Sequence, residues 1–204
     1  MTEPTGGVSA IVLAGGRSSR FGRDKLAEPI GGMPLLHRAI AAVRPLASEV
    51  IVVARPGADP DLPDGVRLVH DPVAFEGPLS GLVTGLEGAR EPIAIVVGGD
   101  SPSLVGAVLR AMLDRLDAPG IHAVVLEHEG RSRPLPIAVR RQPALEKARD
   151  LFGSGERRLR AILERLEVDV IPELTWRELD PDAATVRDVD APEDLDAAPP
   201  RYIL

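Results

Sequence analysis

The chain of 204 residues contains no cysteine, which excludes disulfide bonds, catalysis by a thiolate and zinc sites built from cysteine. Aromatic residues make up only 2% of the chain, too few for the stacking platforms that bind single-stranded nucleic acid. The formal net charge of -7 is opposite in sign to the basic surfaces that bind phosphate backbones. Hydrophobic runs fall short of the roughly 18 to 20 residues that span a membrane. We therefore expect no nucleic-acid partner and no membrane partner.

What the chain does contain is a globular balance of 44% hydrophobic and 27% charged residues. This composition argues against a disordered or fibrous chain, and the length suffices for one domain with a real core. Residues 1–7 are small and polar, without the basic-then-apolar pattern of a signal peptide. We expect a single domain over residues 1–204, located in the cytoplasm.

Short β-branched runs alternate with longer segments of helical period, which predicts an α/β fold. We expect three layers, with a mostly parallel central sheet and a Rossmann-like, nucleotide-binding first half. In that half, strands are predicted over residues 9–14, 50–54, 66–70 and 93–97, and helices from Pro34 onward and over residues 79–89. The strand at residues 93–97 is an uninterrupted apolar run, as expected at the centre of a parallel sheet.

The second half is predicted to be less regular. Residues 123–126 and 136–139 are typical of two strands around a turn at Gly130, antiparallel because their connection is short. Helices are expected near residues 143–152 and 157–166, and late edge strands over residues 168–171 and 185–189. Pro192 fits the first turn of a short final helix.

A glycine-rich, basic loop follows the first predicted strand. It reads Leu13-Ala14-Gly15-Gly16-Arg17-Ser18-Ser19-Arg20-Phe21-Gly22-Arg23-Asp24-Lys25. Glycine lets a ligand approach the backbone closely, and the N–H groups of Gly15 and Gly16 can hold phosphate oxygens. Arg20 and Lys25 can neutralise the phosphate charge. The loop matches neither common phosphate-binding fingerprint, and a basic surface turn is the alternative interpretation.

After the third predicted strand, two short segments form a second motif: His70-Asp71-Pro72 and Gly77-Pro78-Leu79-Ser80-Gly81. The Asp71 carboxylate, at a strand end, can accept hydrogen bonds from ribose hydroxyls or from the edge of a base. A helix that starts at Pro78 offers N–H donors nearby. The alternative is a simple turn, with Asp71 fixed before Pro72.

The fourth predicted strand ends in Gly98-Gly99-Asp100-Ser101-Pro102. Ligands of open α/β sheets bind outside the carboxyl ends of the strands. Asp100 can hold Mg²⁺ there, since this ion keeps several waters and takes its remaining ligands from substrate phosphates. The alternative is a helix N-cap, for which Asp100 and Ser101 are both common residue types.

The segment from Leu13 to Lys25 resembles the L-A-G-G-x-S-x-R-M-G-x-D-K signature of nucleotidyltransferases with a glycosyltransferase-A-like fold. It is most similar to the molybdenum cofactor guanylyltransferases, and the similarity continues over nearly the whole chain. Two departures from the family pattern are conservative, Phe21 for Met and Ser80 for Ala, and two others are Gly99 for Cys and Ser101 for Met. The resemblance implies transfer of GMP from GTP to molybdopterin, with release of pyrophosphate and dependence on Mg²⁺.

The resemblance also implies roles for individual residues. It assigns catalysis to Lys25, Arg20 and Asp100, and metal binding to Asp100 and Asp190. Nucleotide contacts are implied at Leu13, Ala14, Gly15, Gly16, Lys25, Asp71, Pro78, Leu79 and Asp100. The LAGG reading of residues 13–16 and the PLSG reading of residues 78–81 favour GTP over CTP. We expect the basic loop, Lys25 included, to be exposed to solvent.

A late segment resembles the family's N-x-N-T-P-E-D-L, with Asp188 and Asp190 where Asn is common. In related nucleotidyltransferases an acid near this point supplies a second metal contact. Residues two apart on an extended strand share one face, so either acid could serve. The alternative is capping of a helix by Asp190 before Pro192.

The implied partners are the small molecules GTP and molybdopterin, with molybdoenzyme maturation proteins as further candidates. Arg131 and Arg133 could meet a substrate phosphate or lie in a solvated turn. At the end of the second predicted strand, members of the family often have an Asn that contacts the nucleotide. This chain has Val53-Ala54-Arg55 there, so base contacts are not expected at these residues. The alternative functions are a cytidylyltransferase for the same cofactor, a phospholactate guanylyltransferase and a non-catalytic nucleotide-binding protein.

Overall fold

The computed structural model describes residues 7–15, 24–72, 77–189, 191, 193 and 194. Within them the strands are β1 (Val8–Leu13), β2 (Pro29–Ile30), β3 (Met33–Pro34), β4 (Glu49–Ala54), β5 (Val66–His70), β6 (Ile93–Gly98), β7 (Ala123–His128), β8 (Arg131–Arg140) and β9 (Val168–Ile171). The α-helices are α1 (Leu35–Val43), α2 (Pro78–Gly88), α3 (Gly106–Arg115), α4 (Arg141–Gly153) and α5 (Glu173–Trp176).

Within the described residues, seven strands form one sheet in the order β5-β4-β1-β6-β8-β7-β9, and β2 pairs with β3 separately. Strands β5, β4, β1 and β6 are mutually parallel, and Val12 lies between Val52 and Val97. Strand β8 runs antiparallel to both β6 and β7, while β9 is parallel to β7. The apolar strand β6 is therefore central, as its sequence predicts, and the antiparallel hairpin of the second half is confirmed.

Helices cover both faces of the sheet, because strand side chains alternate between faces. On one face Ala10 and Val12 pack in a core with residues of α1 and α3. On the other face Ile11 packs in a second core with residues of α2 and α4. The predicted three-layer α/β architecture with a mostly parallel sheet is confirmed.

Helix α2 packs against the sheet through glycines, which carry no side chain. A Cβ placed on Gly85 would lie 2.5 Å from Ile11 Cγ2, and one on Gly81 would lie 3.4 Å from Leu13 Cδ2. This close packing explains why a helix tolerates glycines that lower its intrinsic propensity. It also holds the start of α2 against the carboxyl end of β1.

Two sequence predictions in the second half are wrong. Residues 185–189 form no strand of the sheet; a 3₁₀ turn (Ala184–Val186) occupies the start of this range. The turn forms because the buried Asp180 carboxylate accepts hydrogen bonds from the N–H groups of Ala184 and Thr185. The helix expected over residues 157–166 is a shorter 3₁₀ segment, Leu159–Glu164. The final helix expected at Pro192 lies largely outside the described residues.

No helix in the described part of the chain combines the length and the apolar character needed to cross a membrane.

Candidate active site

The loops that follow β1, β4 and β6 meet at one edge of the sheet. Strands β1, β4 and β6 all point their carboxyl ends there because they are parallel. The Ala14 N–H donates to Val53 O over 2.8 Å, and the Gly99 N–H donates to Leu13 O over 2.9 Å. These bonds continue the sheet for one more residue and fix the loop backbones relative to each other. Ligands of open α/β sheets bind at this edge.

Lys25 reaches into this edge from a 3₁₀ turn (Lys25–Ala27). The Asp24 carboxylate caps the turn by accepting a 3.0 Å hydrogen bond from the Leu26 N–H. Lys25 Nζ lies 2.7 Å from Asp100 Oδ2 and donates to Val189 O over 2.9 Å. The Lys25 side chain is only 11% exposed. The expectation that Lys25 is a solvent-exposed loop residue is therefore wrong, because its ammonium group is drawn inward by two oxygen acceptors.

Asp100 lies two residues beyond β6, and its side chain is 29% exposed. The carboxylate folds back over the strand end: a Cβ placed on Gly98 would lie only 2.5 Å from Asp100 Oδ1. The alternative role as a helix cap is wrong, because α3 begins at Gly106 and its N-cap residue is Val105. The carboxylate is thus positioned at the carboxyl edge without a capping role in α3.

Asp71 lies directly after β5, and its backbone N–H donates to Ala54 O over 2.8 Å. Both Asp71 and Ser80 are buried, and Ser80 Oγ donates to Asp71 Oδ1 over 2.6 Å. Ser80, where the family pattern has alanine, therefore fixes the orientation of the carboxylate. Sequence reasoning had no means of finding this bond between residues of different elements.

Pro78 and Leu79 form the first turn of α2. The Leu79 side chain is fully buried in the core, so a ligand could contact this residue only through its backbone. The Leu79 N–H donates to Arg157 O over 3.4 Å. A bound anion at the start of α2 would therefore compete with this carbonyl for the first N–H group.

Gly15 leaves open space at the end of β1. A Cβ placed on Gly15 would meet only the Arg55 N atom among the described residues, at 4.0 Å. Leu13 and Ala14 are half-buried beside it. Gly16, Arg20 and Asp190, which complete the predicted site, lie outside the described residues.

Asp188 is bonded at both carboxylate oxygens. Ser101 Oγ donates to Oδ1 over 2.8 Å, and Arg133 Nη2 lies 3.0 Å from Oδ2. Arg133 Nη2 also lies 3.4 Å from Val186 O. The guanidinium group that sequence reasoning offered to a substrate phosphate is thus directed at the protein's own carboxylate. Its neighbour Arg131 is exposed.

The donor set at this edge suits a cation that needs few protein ligands. In the portions of the chain that the structure covers, no group of three His, Asp or Glu side chains is arranged around a possible metal position. Mg²⁺ usually binds through one or two carboxylates together with water and substrate phosphates. A single partly exposed carboxylate at Asp100 fits that requirement.

Solved structures share this fold. Molybdopterin-guanine dinucleotide biosynthesis protein A from Archaeoglobus fulgidus superposes with a TM-score of 0.77 at 21% identity, covering 93% of this chain and 96% of that one. 2-C-methyl-D-erythritol 4-phosphate cytidylyltransferase from Thermus thermophilus superposes with a TM-score of 0.69 at 18% identity, covering 92% and 95%. At these identities the likeness establishes the fold alone.

Sequence comparison then defines the family. The MobA-like NTP transferase domain matches residues 10–170. A protein of Chloroflexus aggregans named "Probable molybdenum cofactor guanylyltransferase" is 40% identical over 194 residues, covering 92% of this chain and 91% of that one. The molybdenum cofactor guanylyltransferase of Burkholderia ambifaria is 32% identical over 169 residues, covering 78% and 82%. The chain is an enzyme of the nucleotidyltransferase class and belongs to the MobA-like NTP transferase family.

Proposed function

We propose that the protein transfers GMP from GTP to the phosphate group of molybdopterin, releases pyrophosphate and requires Mg²⁺. Two relatives that this chain matches over most of their length are named molybdenum cofactor guanylyltransferase. The observation that carries the proposal is the ion pair of Lys25 and Asp100, 2.7 Å apart, at the carboxyl edge of β6. We further propose that residues 1–204 act as one domain, because residues 188 and 189 return to contact Ser101, Asp100 and Lys25.

The two charges suit a triphosphate that arrives with a divalent cation. Such a substrate offers anionic oxygens to Lys25 and a cation to Asp100. The resting ion pair would then be exchanged for two new ion pairs, so that neither the buried ammonium group nor the partly exposed carboxylate would lose its partner on binding. This matters because an unpaired buried charge is costly.

The transfer itself requires positioning and charge neutralisation. A phosphate oxygen of the acceptor attacks the α-phosphorus of GTP in line; the new P–O bond forms as the bond to pyrophosphate breaks. This oxygen is already anionic near neutral pH, so no strong general base is needed. Lys25 supplies positive charge at the phosphates, and the Gly15 backbone offers a close approach without a Cβ. Gly16 and Arg20 complete this side of the site in the proposal.

The metal would be held by Asp100, and Asp190 remains the proposed second contact. When bound, Mg²⁺ neutralises negative charge on the phosphate oxygens. The contribution of this chain is to fix the Asp100 carboxylate: Gly98 leaves room for Oδ1, and Lys25 holds Oδ2. Asp71, oriented by Ser80, is proposed to bind the nucleoside, with Leu13, Ala14, Pro78 and Leu79 lining the nucleotide.

The test is pyrophosphate release by the purified protein with GTP or CTP, in the presence and absence of molybdopterin. We expect release with GTP, Mg²⁺ and molybdopterin together. If pyrophosphate is released with CTP but not with GTP, the activity is cytidylyl transfer instead of guanylyl transfer. If pyrophosphate is released with GTP and phospholactate but not with GTP and molybdopterin, the acceptor is phospholactate. Binding of GTP without any release would indicate a non-catalytic nucleotide-binding protein.

A paired variant tests the metal assignment. Asp100→Asn keeps the shape of the side chain and one acceptor for Lys25 but removes the charge that attracts Mg²⁺. We expect a folded protein whose Mg²⁺ requirement rises steeply and whose turnover falls by at least about 10²-fold. Asp169→Asn, on the distant strand β9, is the matched control and should leave turnover unchanged. A fully active Asp100→Asn enzyme with an unchanged Mg²⁺ response would end the assignment.

A further inference from the structure

Residues 186–189, here called the clasp segment, return to the site after the last strand of the sheet. We propose that Asp188 is a positioning residue: through the clasp segment it holds Asp100 and Lys25 in the geometry that the transfer requires, and it is not a metal ligand. The inference rests on the proposed function, because it assigns Asp188 a role in that reaction.

Val189 closes a ring of hydrogen bonds with the two charged residues. Its N–H donates to Asp100 O over 2.9 Å, and its carbonyl accepts from Lys25 Nζ over 2.9 Å. Lys25 Nζ in turn lies 2.7 Å from Asp100 Oδ2. Because each member bonds to the other two, displacement of Val189 would move both the ammonium group and the carboxylate.

The Asp188 carboxylate bonds the clasp segment to two other parts of the molecule. Its Oδ1 atom accepts from Ser101, the residue next to Asp100, over 2.8 Å. Its Oδ2 atom pairs with Arg133 on β8 at 3.0 Å. Both oxygens of Asp188 therefore have donors within the protein, whereas among the described residues Asp100 accepts a side-chain hydrogen bond at Oδ2 alone.

Two residues of this network differ from the family pattern quoted for the sequence. Where the family pattern has Met and Asn, this chain has Ser101 and Asp188. The bond from Ser101 to Asp188 uses the hydroxyl of one of these residues and the carboxylate of the other, and the same carboxylate pairs with Arg133. Because nucleotidyl transfer depends on the placement of charge, a shift of these groups by a fraction of an ångström lowers the rate.

Variants at Asp188 should still fold. The clasp segment has a separate apolar anchor, since Val189 is 2% exposed and packs with Ile30 and Leu35. The Arg133 and Asp188 side chains are 36% and 38% exposed, so the loss of one leaves the other accessible to water. The chain also provides a matched control: Arg115 and Asp169 form an ion pair of the same 3.0 Å length away from the site.

The first test is amide hydrogen exchange of the substrate-free protein, followed over residues 186–189 and 98–102. For Asp188→Ala and for Ser101→Ala we expect exchange of the Val189 N–H to accelerate by about tenfold. Asp169→Ala should leave this exchange unchanged. Unaltered exchange in Asp188→Ala would overturn the proposal whether or not the proposed reaction is correct.

The second test separates positioning from metal binding by steady-state kinetics. Positioning predicts that Asp188→Ala lowers kcat on the order of tenfold with KM for GTP within about twofold. Ser101→Ala should act in the same direction, and the double variant should be no worse than Asp188→Ala because both remove one interaction. Asp188→Asn keeps an acceptor for Ser101 and should retain more activity than Asp188→Ala.

A metal ligand at Asp188 would behave differently. Ser101→Ala would then leave kcat unchanged, and Asp188→Asn and Asp188→Ala would raise the Mg²⁺ concentration for half-maximal rate to the same extent. Either result would overturn the proposal. Absence of all activity from the wild-type protein with GTP and molybdopterin would instead refute the proposed function, while hydrogen exchange would still decide whether Asp188 holds the loop of Asp100.

Discussion

Two ion pairs of similar length lie at opposite edges of the same sheet. Lys25 and Asp100 are 2.7 Å apart beyond the carboxyl end of β6. Glu49 and Arg67 are 2.9 Å apart at the amino ends of β4 and β5. Each pair contains one side chain that is more than four-fifths buried, so distance and burial alone do not distinguish their roles.

The difference lies in the groups that surround each carboxylate. Glu49 accepts hydrogen bonds from Ser9 Oγ and the Arg90 N–H, both at 2.7 Å, as well as from Arg67. Burial by itself would raise the pKa of Glu49, but these hydrogen bonds outweigh it and hold the pKa below its ordinary value. Arg67 also donates to the Gly88 carbonyl, so the pair joins β1, β4, β5 and the end of α2.

The carboxyl-edge pair is instead built beside open space. Gly15 has only the Arg55 backbone near its Cβ position among the described residues, and the Asp100 side chain is 29% exposed. One ion pair thus completes a junction between elements, and the other faces the edge where ligands of such sheets bind. The comparison teaches that the place of an ion pair in the sheet, rather than its strength, indicates its role.

The largest expected effect is that of Lys25→Met on turnover. Removal of a positioned charge at a phosphoryl centre should lower kcat by about 10²- to 10³-fold. Because Lys25 is buried and its loss removes a partner of Asp100, the free energy of unfolding should also fall by about 1–2 kcal/mol. Pyrophosphate release and urea denaturation on one preparation measure both. Turnover near the wild-type level would show that the carboxyl-edge pair is structural as well.

Glu49→Gln is the counterpart at the other edge. The neutral side chain keeps an acceptor for Ser9 and Arg90 but loses its charge-assisted bond to Arg67, so the free energy of unfolding should fall by about 1–2 kcal/mol. We expect kcat to stay within about twofold of wild type because the residue lies at the opposite edge. The variant therefore controls for the stability loss of Lys25→Met. A large fall in kcat here would contradict the division of roles between the edges.

A smaller change tests the fit of Asp100 over Gly98. Gly98→Ala places a methyl group only 2.5 Å from Asp100 Oδ1, so the carboxylate must rotate. We expect kcat to fall several-fold, on the order of 1 kcal/mol in the barrier. Gly106→Ala is the matched control, since a Cβ there has no neighbour within 4 Å among the described residues. Equal turnover of the two alanine variants would show that the orientation of Asp100 at Gly98 is unimportant.

The smallest expected effect is on the pH dependence of stability. The folded pKa of Glu49 is lowered, so its stabilising contribution is present above the unfolded value of about 4.5 and is lost as the pH falls through the folded pKa. The difference in unfolding free energy between wild type and Glu49→Gln should therefore shrink between pH 6 and pH 3, roughly. Glu156, whose pKa Arg158 lowers to about 2, titrates alike in both proteins. Denaturation at several pH values checks this; a constant difference would contradict it.

Much of the fold could be predicted from local pattern. Strand β5 occupies the predicted residues 66–70, and β6 extends the predicted run by one glycine. Strand β8 begins at Arg131, five residues before its predicted start, because its first half has no apolar alternation to reveal it. The turn at Ala184–Val186 resembles a strand in composition, and only the distant contact with Asp180 decides otherwise.

The candidate site, like the fold, could be predicted only in part from the sequence. Lys25, Asp71 and Asp100 were predicted as site residues from motifs at strand ends. Their partners could not be predicted, because Lys25 and Asp100 lie 75 residues apart and Ser101 and Asp188 lie 87 apart. Ser101 and Asp188 were visible as departures from the family pattern, but the sequence alone does not show that their side chains bond to each other.

The glycines of α2 have a consequence for how the protein assembles. Gly81 and Gly85 each lower helix propensity by about 1 kcal/mol relative to alanine, so the isolated segment has little tendency to form a helix. It gains stability only when Ile11 and Leu13 are already in place to receive it. We therefore expect the bond between Ser80 and Asp71 to depend on the pairing of β1 with its neighbours. Amides in the later turns of α2, which donate within the helix, should accordingly exchange only with the opening of the sheet itself, not through fraying of one helix.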